Sequence, residues 1–170
     1  TLSILIDLAG YAMRKGKLVV HPWQGRQTEL ASLLSGVCQR LYSLEREPAK
    51  FGSDVAEVQR VLGDSVSLTI SLCDALGLVG SEQDSSPALR QAMQLSHRRI
   101  QGEAAGALAR LGVDEGRQRL LELARDPVAR LRAVSYADEL GCAELIDEDL
   151  RLPAALAEAE LVSWLASAEQ

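Results

Sequence analysis

Asp126-Pro127-Val128-Ala129-Arg130-Leu131-Arg132-Ala133-Val134-Ser135-Tyr136-Ala137-Asp138-Glu139-Leu140-Gly141 is the stretch that decides the fold. The segment His97-Arg98-Arg99-Ile100-Gln101-Gly102-Glu103-Ala104-Ala105-Gly106-Ala107-Leu108-Ala109-Arg110-Leu111-Gly112 lies on it without gaps, 29 residues earlier. Ala104 matches Ala133, Leu111 matches Leu140 and Gly112 matches Gly141; elsewhere it is pattern that agrees. Apolar residues recur at helical spacing in both segments, and both close on Leu-Gly. A period between about 20 and 50 residues marks units that cannot bury their apolar faces alone and therefore stack.

Composition agrees. The chain of 170 residues is 47% hydrophobic but only 4% aromatic, so its apolar content is mostly Ala, Leu and Val. Leu and Ala are good helix formers, and Ala lets helix backbones approach. An all-α fold follows. Working outward, Leu2–Met13 reads as a first helix and Leu18–Val20 as a connection, because Pro22 keeps His21 out of helical angles. Leu30, Leu33, Leu34, Val37, Cys38, Leu41 and Leu44 form one apolar stripe over about four turns. After Pro48–Gly52, Ser53 or Asp54 can cap a helix that Gly63 ends. Asp64 or Ser65 then caps another, closing on Leu76-Gly77 as an earlier, more divergent repeat. Gly80–Ser86 reads as a polar loop, with Pro87 in the first turn of the next helix. Asp114 caps the helix between the two clear repeats, and Pro153 opens the last one after an acidic loop at Glu144–Asp149. About nine helices in antiparallel pairs make an α-solenoid. The chain, 1–170, divides into a helical region at 1–50 without a recognisable repeat, repeats at 53–141 and an acidic end at 142–170.

At Asp126–Gly141 the chain resembles a HEAT repeat of the bacterial kind also found in phycobilin lyases. That pattern is Asp-Pro-x-Val-Arg-x-x-Ala-x-x-Ala-Leu-x-x-Leu-Gly, matched here at Asp126, Pro127, Arg130, Ala133, Leu140 and Gly141. His97–Gly112 matches at Ile100, Ala104, Ala107, Leu108, Leu111 and Gly112. It departs at His97 and Gln101, where the family has Asp and Arg. The resemblance implies that the polar ladder those two residues build between repeats is interrupted here. It also implies that the second helix of each pair lines the concave, binding side. Such repeats serve many roles, so the likeness specifies fold far more than function.

Charge is unevenly spread. Residues 1–89 hold 8 basic and 10 acidic side chains, residues 90–132 hold 9 and 5, and residues 133–170 hold 1 and 9. The basic stretch (Arg98, Arg99, Arg110, Arg117, Arg119, Arg125, Arg130 and Arg132) admits a HEAT-like nucleic-acid reading, against which stand the net charge of −6 and the lack of interleaved aromatics. Arg130 has a bland role in pairing with Asp126 one turn earlier. Gly102, Gly106 and Ala109 lie opposite the apolar stripe of their helix, although each helical glycine costs roughly 1 kcal/mol relative to alanine. Either a neighbouring helix packs there or a partner does, on a groove rimmed by Arg98, Arg99 and Arg110. Tyr136 and Trp164 read as core aromatics.

His97 and Cys73 have no recognisable catalytic partners, and three scattered cysteines with two histidines form no metal motif. The expectation is a non-catalytic scaffold for protein–protein or interdomain contact, with no cofactor and no metal. Its candidate contact residues are Arg98, Arg99, Gly102, Gly106, Arg110 and Arg132. A tetrapyrrole-binding, phycobilin-lyase-like enzyme and a nucleic-acid binder at 90–132 are the alternatives. Leu2–Met13 is too short to span a bilayer, so neither membrane nor leader is expected, and the cysteines suit a reducing, cytoplasmic setting. The chain starts at Thr1 without methionine and reads as a piece of a longer protein.

Overall fold

The computed structural model describes residues 2–51 and 54–168, which hold nine α-helices: α1 (Leu2–Arg14), α2 (Gln27–Arg46), α3 (Val55–Val79), α4 (Glu82–Met93), α5 (Arg98–Arg110), α6 (Asp114–Leu123), α7 (Pro127–Glu139), α8 (Glu148–Arg151) and α9 (Pro153–Ala168). Short 3-10 turns lie at Pro48–Phe51 and Ala143–Leu145. The sequence repeat is visible as α5 and α7, whose first and last residues are each 29 positions apart. Gly112 and Gly141 follow them with φ of 85° and 65°, a left-handed geometry that glycine adopts without strain.

The helices stack in two layers. In one, α1 packs on α3, α3 on α5, α5 on α7 and α7 on α9. In the other, α2, α4, α6 and α8 sit beside α3, α5, α7 and α9, completing antiparallel pairs. This is the expected α-solenoid. One continuous apolar cluster runs from Ile6 to Ile146. α5 lies at its centre, touching α3, α4, α6 and α7, and every residue from Ile100 to Ala109 is buried. A helix packed by four others needs small residues where they approach, which accounts for its run of Ala and for Gly106. At Gly116 of α6 an added Cβ would lie 2.5 Å from the Ala109 nitrogen, so α6 and α5 meet backbone to backbone.

Four boundaries differ from the sequence expectation. Gly63 does not end a helix: α3 runs through it, with Asp54 capping the start by accepting from the amides of Ala56 and Glu57. Ser53, the other expected cap, lies outside the described residues. Asp64 pairs with Arg60, and the Ser65 hydroxyl bonds back to the Val61 carbonyl, so neither caps. Gly77 is no helix stop either. An added Cβ there would meet Ala107 Cα at 3.0 Å, so this Leu-Gly marks close packing of α3 on α5, not a third copy of the repeat turn. α4 starts earlier than expected, at the Ser81 cap, whose hydroxyl accepts from the Asp84 amide; Pro87 therefore lies inside the helix. Asp114 opens α6 as its first residue, with Val113 at the cap position.

The merged α3 is the one described helix long and apolar enough, by length and composition, to cross a membrane. It packs on α1, α2 and α5, and its buried side includes Leu72, Cys73 and Leu76, as the inner helix of a solenoid requires. Cys38, Cys73 and Cys142 are free and buried. Burial pushes the Cys38 thiol up to about 11 and Cys73 well above its ordinary value, so both act as small apolar side chains.

Candidate functional site

A chain of charges crosses the layer of α1, α3, α5 and α7. Arg14 of α1 donates to both oxygens of Asp74 of α3, at 2.9 and 2.7 Å. Arg110 of α5 reaches Asp74 at 3.3 Å and grips Glu139 of α7 through Nε and Nη2, each at 2.9 Å. Two turns back along α5, Glu103 accepts from Arg132 Nε at 2.6 Å, Arg132 Nη2 at 3.0 Å and the Tyr136 hydroxyl at 2.7 Å. Tyr136 is fully buried between two guanidiniums, with Arg132 4.3 Å and Arg110 5.1 Å from its ring centroid. Its ring fills the space that Gly106 leaves by lacking a Cβ.

The electrostatics reinforce this pairing. Burial first, then the charge of Glu103, pushes the Tyr136 hydroxyl well above its ordinary value, so it stays protonated and donates. Burial opposes the charge on Arg132, yet the hydrogen bonds and charge of Glu103 outweigh it and raise its pKa. Arg110 is likewise raised: burial is overcome by Tyr136, Glu139 and Asp74. The network fixes how α5 sits on α3 and α7.

Beside the network lies an open, mostly apolar cleft of about 530 Å³ across α5, α7 and α9. His97, Arg98, Arg99 and Gly102 form its α5 wall, Val128, Leu131 and Arg132 its α7 wall, and Ser163 and Trp164 its α9 edge. At Gly102 an added Cβ would meet nothing within 4 Å, so this glycine opens the cleft where Gly106 admits Tyr136. Arg98 crosses from α5 to Asp126 at 2.8 Å.

The structure therefore separates the six candidate contact residues. Arg98, Arg99, Gly102 and Arg132 come together in the cleft. Gly106 does not: its open side is taken by Tyr136, a neighbouring helix of the same solenoid. Arg110 is only 12% exposed and committed to Asp74 and Glu139, so it is a packing residue, not a contact residue. Trp164 is 68% exposed on the cleft edge, contrary to its reading as a core aromatic, whereas Tyr136 is core as expected. Arg130 does not pair with Asp126. It donates to the carbonyls of Ala124 and Ala155 and to Glu158, tying α7 to α9.

The polar ladder is only half interrupted. Gln101 Nε2 donates to the Leu95 carbonyl at 2.6 Å, six residues back, as Arg130 does to Ala124 at 3.0 Å. His97, in contrast, makes no capping bond, while Asp126 accepts from the Val128 amide. Among the described residues, Arg99 is the one arginine of the basic stretch without a carboxylate partner. The positive charge seen in the sequence is thus neutralised in place, which removes most of what a phosphate backbone would bind.

Both histidines have lowered pKa values. Burial is the larger cause for each. For His97 the Arg99 charge adds to it and Glu45 opposes it, while for His21 Asp74 opposes and Arg14 adds. His21 Nε2 and His97 Nδ1 are buried without a hydrogen-bond partner among the described residues. A base with a depressed folded pKa contributes stability that is complete above its unfolded value, about 6.5, and lost as pH falls through its folded value. Denaturation midpoints should therefore decline as pH drops below about 6.5, and His21→Gln with His97→Gln should flatten that decline. A wild-type midpoint constant between pH 7 and 5 would contradict the assignment.

Residues 59–137 match the family model for HEAT repeats, from within α3 to within α7. Over this segment the chain is a HEAT-repeat protein. No curated protein and no solved structure matches it. HEAT repeats generally serve as protein-interaction scaffolds, through the extended surface that stacking creates.

Proposed function

We propose that this chain is a non-catalytic HEAT-repeat scaffold that seats a protein segment, from a partner or an adjacent domain, in the α5/α7/α9 cleft. The observation that carries this reading is the cleft itself: an apolar trough, opened by Gly102 and bordered by an exposed tryptophan and Arg99. Aromatic and arginine side chains at the rim of an apolar depression are the residue types that dominate protein contacts. Three buried free thiols support a reducing, cytoplasmic setting.

Gly102→Trp places an indole in the cleft from a position where an added Cβ meets nothing within 4 Å, and helix content by circular dichroism checks that the variant is folded. Capture of partners by a photo-crosslinker placed at Trp164 should fall at least about tenfold in Gly102→Trp, equivalent to about 1.4 kcal/mol, and also in Arg99→Glu. A pull-down recovering no protein, together with turnover of some substrate by the isolated chain, would sink the proposal. So would unchanged capture by the filled cleft.

A further inference from the structure

We infer that the segment seated in the cleft is acidic: a short run of large apolar side chains carrying an aspartate or glutamate that pairs with Arg99. This rests on the cleft reading and adds the chemistry of the partner. The cleft is walled chiefly by α5 and α7, which pack on α3 and α9 at either side, so it opens within the series of helices. Its lining is mostly apolar, with Val128, Ala129 and Leu131 from α7 and Trp164 at the rim. Val128 and Leu131 are only half-buried, and Trp164 is exposed, so each still has apolar surface to lose to a guest. The volume of about 530 Å³ falls within the range, about 300–1,000 Å³, that takes a compact guest. Apolar burial thus supplies the affinity, and the charges around it supply the choice.

Arg98, Arg99 and Arg132 line the cleft with Glu103, and Asp126 stands against Arg98. Both carboxylates are already taken up. Glu103 accepts two bonds from Arg132 and one from the Tyr136 hydroxyl. Asp126 accepts the Val128 amide on one oxygen and faces Arg98 with the other. Three guanidiniums against two carboxylates leave one positive charge over. It belongs to Arg99, which is exposed and has no carboxylate partner among the described residues. A guest covering the cleft displaces water from Arg99. A basic guest then adds repulsion, and a neutral one leaves the guanidinium partly desolvated and unpaired. An acidic guest pairs with it, through two parallel N–H bonds where the carboxylate meets the fork of the guanidinium. The wider field runs the other way: the whole chain carries a net charge of −6, so non-specific attraction favours basic peptides. A preference for acid would therefore report the cleft itself.

The experiment selects a displayed library of random dodecapeptides on the whole chain and counter-selects it on Gly102→Trp. Peptides that need the open cleft should carry an aspartate or glutamate beside large apolar residues. Fluorescence anisotropy then reads the selected peptides one by one. Exchanging the acid for its amide should weaken binding at least about tenfold. Arg99→Glu should weaken the acidic peptide at least as much, and the same peptide with lysine in place of the acid should recover binding to Arg99→Glu. Arg60→Glu makes the same change in net charge at an exposed position that does not line the cleft, and should leave binding as it is. Circular dichroism checks that each variant is folded, with Arg99→Gln in reserve should Arg99→Glu lose helix. Cleft-dependent peptides without an acid, or acidic ones indifferent to Arg99→Glu, overturn this inference and leave the cleft reading standing. Selection of no peptide, or of peptides that bind Gly102→Trp as well as wild type, overturns both.

Discussion

Gly106→Ala should destabilise this chain by about 1–3 kcal/mol, although alanine is the better helix former. On a free helix face the substitution gains roughly 1 kcal/mol. Here the new methyl would overlap the Tyr136 ring. That ring has nowhere to go: it is fully buried, its hydroxyl is held by Glu103, and Arg110 and Arg132 lie over its faces. Overpacking of this kind costs about 1–3 kcal/mol, and displacing the hydroxyl from Glu103 adds about 1 kcal/mol, so the loss exceeds the propensity gain. Gly102→Ala, one turn earlier on the same helix, is the control. Nothing lies within 4 Å of its Cβ position, and the variant should be more stable by up to about 1 kcal/mol. Urea denaturation reads both. If the two variants shift in the same direction, the packing of Tyr136 is not what holds position 106 to glycine. Adding Tyr136→Leu to Gly106→Ala should relieve the overlap, so the pair should be less unstable than the sum of its singles.

These contrasting glycines show what the sequence could and could not reveal. Two glycines opposite an apolar stripe signal close approach, and one of the two does pack against a neighbouring helix. Which one depends on a tyrosine 30 residues further along the chain, and no local pattern gives that pairing. Gly112 and Gly141 were legible because a Leu-Gly after an amphipathic run sits where the backbone must turn left-handed. Gly63 and Gly77 carry the same local signal without the turn. At Gly63 the apolar pattern resumes at Val66, and burial of the second half of α3 outweighs the cost of one helical glycine. At Gly77 the reason for glycine lies on another helix, at Ala107.

The proline at 87 misled in the same way. Proline favours a first turn, but Ser81 with Asp84 three residues later is itself a capping pattern, and it wins. The charge network carried a signal that local reading passes over. Glu103 and Arg132 are 29 residues apart, and so are Arg110 and Glu139. The repeat offset thus places opposite charges at equivalent positions of α5 and α7, which face each other. Asp74 and Arg14 join from helices outside the clear repeat, and that part required the structure.

Reversing one of these charges should give the largest loss of all. Glu103→Arg removes the acceptor of Arg132 and of the Tyr136 hydroxyl and adds a third guanidinium beside Arg110 and Arg132. Breaking a buried ion pair costs about 3–5 kcal/mol, and the low end applies here because the Arg132 side chain is 40% exposed and water can take up part of its charge. Arg132→Glu alone sets a second carboxylate against Glu103 and should also destabilise. The double variant restores an opposite pair at the same 29-residue spacing. The double variant should therefore recover about 1–3 kcal/mol of coupling relative to the sum of the singles, read from denaturation midpoints. The corresponding reversal of Arg110 and Glu139 should recover less, because Arg110 also serves Asp74, which the exchange leaves facing a like charge. Coupling below about 0.5 kcal/mol at Glu103 and Arg132 would mean that the ion pair follows the stacking of α5 on α7 instead of helping to fix it.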